Sequence, residues 1–116
     1  MIVDGYYTTL RELLATGNAD KVVARIGFGI GTAPEAAGDT ALTGAYVKAL
    51  SGFEMDPANP RLLRFTYKLL RGEANGMAIT EIGLFTADGQ LVARKVRNPI
   101  VKTPDMAIGD SWELLV

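Results

Sequence analysis

The chain has 116 residues, 48% apolar and 22% charged, with 12 basic and 13 acidic side chains and a formal net charge of −1. This is the size and balance of one globular domain with a real core, and it favours neither nucleic acid nor an anionic membrane as a partner. Cysteine and histidine are both absent, which removes disulfides, thiolate nucleophiles and the Ser-His-Asp and zinc sites that depend on them, leaving carboxylates or lysine for acid–base work.

The first segment, MIVDGYYTTLRELLATG, has no basic stretch leading into an apolar one, so no secretory signal is expected. No apolar run approaches the ~20 residues of a membrane span. Val3, Tyr6, Tyr7, Leu10, Leu13 and Leu14 recur at spacings of three and four and predict a helix. Asp4 is the expected cap, Thr9 and Glu12 have capping-box spacing, and Gly17 is the expected stop. A helix this short is marginal alone and must pack on something, its own sheet being the first expectation. The stripe of Val3, Tyr6, Tyr7, Leu10 and Leu14 is also the candidate interface for a partner chain.

After Asp20 the period becomes two. Val22, Ala24, Ile26, Phe28 and Ile30 fall on one strand face, and Gly27, Gly29 and Gly31 leave the other face bare. GTAPEAAGDT reads as a loop. The segment 39–50 fits helix or strand; the reading adopted is a turn near Thr40–Leu42, then a strand from about Tyr46. DPANP is a turn, and in RLLRFTYKLL the residues Leu63, Phe65, Tyr67 and Leu69 face a core. In MAITEIGLF, Ile82 and Leu84 oppose Glu81, Gly83 and Phe85. Asp88-Gly89 predicts a hairpin into LVARKV, Pro99 is read as punctuation, and Trp112, Leu114 and Val116 share a face of the last strand. The expected fold is a single domain over 1–116, mainly β (α+β). It is an antiparallel β-sandwich or open barrel of about six short strands (18–116) with one N-terminal helix (1–17).

The stretch GFGIGTAP invites a phosphate-cradle reading, but the dinucleotide pattern requires glycine where Thr32 or Pro34 stands, and no Walker-type loop occurs. Alternate spacing instead strips one strand face so that a bulky group can approach the backbone, with Phe85, Trp112 or a neighbouring subunit as candidates. Gly83 has the same look, and Gly89 belongs to the hairpin turn. Glu81, if buried, needs a basic partner, and Arg25 and Arg94 are the two candidates. Asp56, Asp105 and Asp110 read as turn residues. Two basic sets, Arg61, Arg64, Lys68 and Arg71, then Arg94, Lys95, Arg97 and Lys102, read as solvated sheet faces. No cofactor, metal or catalytic residue is assigned.

Three segments together carry a resemblance. They contain Gly29, Gly31, Thr32, Asp39, Thr40, Ala41 and Leu42; then Ile79, Glu81, Ile82, Gly83, Leu84, Phe85, Ala87, Asp88, Gly89, Leu91, Ala93 and Arg94; then Pro99, Ile100, Lys102, Thr103 and Trp112. In order and spacing they resemble small structural proteins of tailed bacteriophages, the group of tail-collar fibre and tail-fibre-related domains. The resemblance implies a non-enzymatic virion component of a phage or prophage tail, made in the bacterial host cytoplasm. Such a component acts by self-assembly, with a trimer as first expectation, and by docking to other tail proteins. No shaft segment follows the last strand, so a tail, baseplate or fibre-accessory place is expected rather than a fibre. The alternative is a module that binds a host-surface saccharide, for which Tyr46, Trp112 and Asn98 are the suggestive residues.

Overall fold

A computed structural model describes residues 1–116. One helix, α1 (Asp4–Thr16), and a 3-10 turn at Ala19–Lys21 precede seven strands. These are β1 (Val23–Gly29), β2 (Tyr46–Ala49), β3 (Gly52–Met55), β4 (Leu62–Leu69), β5 (Ala78–Thr86), β6 (Leu91–Val101) and β7 (Ile108–Leu115). The first sheet runs β2-β1-β5-β6 and the second β3-β4-β7, all neighbours antiparallel. The fold is mainly β, with two antiparallel sheets and one helix.

The segment left open between helix and strand is the strand β2, and Leu50 and Ser51 carry the chain from one sheet to the other. The Leu50 amide bonds to Ala24 in the first sheet, the Ser51 amide to Thr66 in the second. Between the sheets lie Ile26, Phe28, Ile82 and Leu84 on one side and Phe65, Tyr67, Leu69 and Trp112 on the other. The rings of Phe28 and Tyr67 meet edge to face at 5.8 Å. The period-two reading of β1 holds in its centre, where Ile26 and Phe28 are core residues, and fails at its ends, where Val22 and Ile30 are exposed.

The first sheet is covered on both faces. Its outer face carries Val3, Phe85 and Leu91, packed with Leu42 from the loop that follows β1. Double coverage explains why eight of the nine residues of β5 are buried.

Several local expectations are corrected. Asp4 is the first helical residue, not the cap; Val3, whose side chain has no acceptor, stands at the cap position, and the free amide of Asp4 is met by backbone from elsewhere. The amide of Val3 reaches Val92 and that of Asp4 reaches Ala37. The hydroxyl of Thr9 donates to Gln90 instead of serving a capping box. Gly17 does end the helix, in the left-handed conformation at φ 65°. The β5–β6 hairpin turns through Asp88 and Gly89, whose φ of 94° suits glycine.

Pro99 does not interrupt β6, which runs on to Val101. Between Ile79–Glu81 of β5 and Val96–Ile100 of β6 the register shifts, and Pro99 sits inside that irregularity on an edge strand, where a missing N–H costs no ladder bond. Asp110 lies within β7 rather than in a turn.

Candidate functional site

The face stripped by glycine is filled by the chain itself. A Cβ at Gly27 would stand 2.6 Å from the Phe85 ring, and one at Gly31 would stand 2.5 Å from a Glu81 oxygen. Gly29 is likewise closed by Glu81, and Gly83 by Leu91 and Leu42. Phe85 was one of the expected fillers; Trp112 instead lies buried between the sheets, and no second subunit is needed.

Glu81 is 1% exposed and Arg94 4%. The Arg94 Nε donates to Glu81 Oε1 at 2.8 Å, so Arg94, not the exposed Arg25, is the partner. The amides of Gly31 and Thr43 donate to Glu81 Oε2 at 2.8 and 2.7 Å. The remaining guanidinium nitrogens bond to Asp39 and to the carbonyls of Pro34 and Ala33. Burial pushes the Glu81 carboxyl up, but the Thr43 amide, Arg94 and the Gly31 amide outweigh it and hold the group below the usual range. Both Glu81 oxygens and all three guanidinium nitrogens are thus used inside the chain, and these bonds pin the 31–43 loop.

A small polar cleft of about 220 Å³ opens beside Asp39, between Asp4 and Gln90, and the larger open feature is elsewhere. Between α1 and the second sheet lies a groove of about 470 Å³, walled almost wholly by apolar side chains. Tyr6, Leu10 and Leu13 form its helix wall, with Val22 and Val23 beside them. Opposite stand Phe53 and Met55 of β3, Leu63 and Phe65 of β4, and Leu114 with Val116 at the end of the chain. Phe53 and Met55 are 68% and 69% exposed. Lys21 closes one rim, its ammonium 2.6 Å from Asp88 and 3.3 Å from Glu12.

The predicted interface stripe is thus divided among three environments. Val3 is fully buried in the outer core, Tyr6 and Leu10 line the groove, and Tyr7 and Leu14 point to solvent, 62% and 78% exposed. The expectation of packing on its own sheet holds for the first half of the helix, as far as the buried Thr9. Of the opposite wall, Leu63 belongs to the strand face expected to meet a core, whereas Phe53 and Met55 are not singled out by sequence. The signal of Phe53 and Met55 is their alternation, too short to read alone where it directly follows 39–50, which fits two periods.

The residues proposed for a saccharide are not gathered. Trp112 is buried with the Lys95 ammonium 4.7 Å from its ring centre, Tyr46 is half-buried with its hydroxyl on Glu73, and Asn98 is exposed on β6. The reading of the basic sets as solvated faces also needs correction. Arg94 and Lys102 are buried, the Lys102 ammonium bonding to Asn75 and to the carbonyls of Arg71 and Thr103. Arg64 is half-buried between Asp56 and Glu113. No group of three or more acidic side chains is placed to hold a metal ion.

No protein-family model, no curated protein and no solved structure matches the chain.

Proposed function

We propose that this chain is a non-enzymatic structural component of a phage or prophage tail, in the baseplate, collar or a fibre-associated place. It works by self-association and by docking to other tail proteins. The observation that carries the reading is the open apolar groove between α1 and the second sheet. A contiguous apolar surface left to water marks a contact surface, whereas an enzyme site needs convergent polar groups that are free to react. The most concentrated polar groups, Glu81 and Arg94, are consumed in holding a loop. The resemblance carried by the segments around Gly29, Glu81 and Lys102 supplies the tail as the setting.

Self-association runs through the solvent side of α1, where Tyr7 and Leu14 lie one heptad apart, and a trimer is the stoichiometry proposed. Light scattering after size-exclusion chromatography, across a wide range of protein concentration, tests this. A trimer that dissociates in the double variant Tyr7→Asp, Leu14→Asp, with an unchanged circular dichroism spectrum, is expected. A monomer at all concentrations, or a trimer indifferent to both substitutions, overturns the self-association reading.

A further inference from the structure

The two sheets end in four edge strands, and three of them are protected. β6 is covered along its first half by Met1–Val3, through the Ile2–Ala93 bridge and the Arg94 amide on Met1, and carries Pro99 further on. β2 bears Lys48, tied to Glu73 at 2.6 Å. β7 has Asp110 and Glu113 exposed, while its inward side chains Trp112 and Leu114 are buried. β3 is the least protected: all four of its residues are exposed, none of its side chains is buried inward as Trp112 and Leu114 are in β7, and Glu54 is its single charged side chain.

The ladder phase fixes what β3 offers. The Asp56 amide donates to the Leu62 carbonyl, and the pairs Glu54–Arg64 and Gly52–Thr66 continue that phase. In an antiparallel ladder the alternate residues, Phe53 and Met55, therefore turn their N–H and C=O groups to the open edge. Their side chains enter the apolar groove. The Glu54 side chain lies on the opposite face, across from Arg64, whose guanidinium is already engaged by Asp56 and Glu113. Arg64 is thus already paired on both sides, and Glu54 has no ion pair of its own.

We propose that the open edge of β3 receives an extended segment of another tail protein as a fourth strand of the second sheet. The segment places a lysine or arginine opposite Glu54 and an apolar side chain on each side of it, the two apolar side chains entering the groove beside Phe53 and Met55. This rests on the groove being an assembly surface and names the occupant of its β3 half. Main-chain bonds to Phe53 and Met55 supply affinity, and the cross-strand charge supplies choice. A second copy of β3 fits poorly. The antiparallel register that uses the outward groups of both Phe53 and Met55 sets Glu54 against Glu54 of the other copy, at the short non-hydrogen-bonded spacing.

The test uses the full chain and two capped peptides, threonine-valine-X-valine-threonine extended by one serine at each end, with X lysine or glutamate. Binding is followed by chemical-shift titration of the backbone amides. The lysine peptide is expected to bind about fivefold more tightly than the glutamate peptide, shifting the amides of Phe53 and Met55. Glu54→Lys, an exposed substitution that leaves the fold intact, is expected to reverse the preference. Equal binding of both peptides, an unreversed preference, or shifts confined to α1 overturns the proposal. So does a dimer lost on Met55→Pro, which identifies a second copy as the occupant while leaving the assembly role standing.

Discussion

The outer face of the first sheet and the groove beside the second solve opposite problems. On the outer face a carboxylate and a guanidinium are buried almost completely, yet every one of their strong hydrogen-bonding groups has a partner. At the groove, apolar side chains that would gain from burial are left in water. Polar groups in the interior must be satisfied within the chain, because an unpaired buried charge costs several kcal/mol. An uncovered apolar groove costs far less and is retained where another surface will cover it. The closed network is thus part of the fold, and the groove is the surface proposed for assembly.

The largest effect expected is from Arg94→Met. It leaves Glu81 buried without its cation and is expected to destabilise the domain by about 3–5 kcal/mol, measured by urea unfolding. A loss below about 1 kcal/mol would mean that the amides of Gly31 and Thr43 suffice for Glu81. Gly29→Ala comes next, at about 2 kcal/mol, because the added Cβ strikes a carboxylate held at both oxygens and unable to retreat. The same substitution at Gly38, where a Cβ meets nothing, is the control and is expected to be near neutral.

A third network lies between these extremes. Glu73 accepts from the Lys48 ammonium, the Tyr46 hydroxyl and the Leu70 amide, and these bonds, that of Lys48 foremost, lower its carboxyl from 4.5 to about 2. A group lowered by folding contributes stability that is fully present above its ordinary value and is lost as pH falls through its folded value. Acid unfolding between pH 4.5 and 2 is therefore expected to be shallower in Glu73→Gln than in the parent chain, and the variant less stable at pH 7. Parallel pH profiles would remove Glu73 from the acid response.

The smallest effect on stability is expected at the groove. Phe53→Ser, at a residue 68% exposed, changes unfolding by no more than about 0.5 kcal/mol. It is expected nonetheless to weaken capture of the lysine peptide. A large loss of stability there would make the β3 wall part of the core and erase the contrast between the two regions.

Much of this was legible in the residues. The alternation in RLLRFTYKLL placed Phe65, Tyr67 and Leu69 in the core, Asp88-Gly89 marked the hairpin, and Gly17 ended the helix. The alternating glycines correctly signalled a close approach, and Glu81 correctly signalled a need for a cation. Each of these follows from local chemistry: side-chain period, backbone conformations open to glycine, and the cost of burying a charge.

What the tertiary structure alone decided was which distant residues meet. The choice of Arg94 over Arg25 depends on the β5–β6 register and on the loop that brings Asp39 and Pro34 over the guanidinium. The tolerance of Pro99 depends on β6 being an edge strand with a shifted register. The helix stripe looks uniform by period, yet docking through Val3 buries one end and leaves Leu14 in water. Periodicity specifies that a face is apolar; only the packing of elements far apart in the chain determines what covers that face, and here Phe53 and Met55 are left exposed.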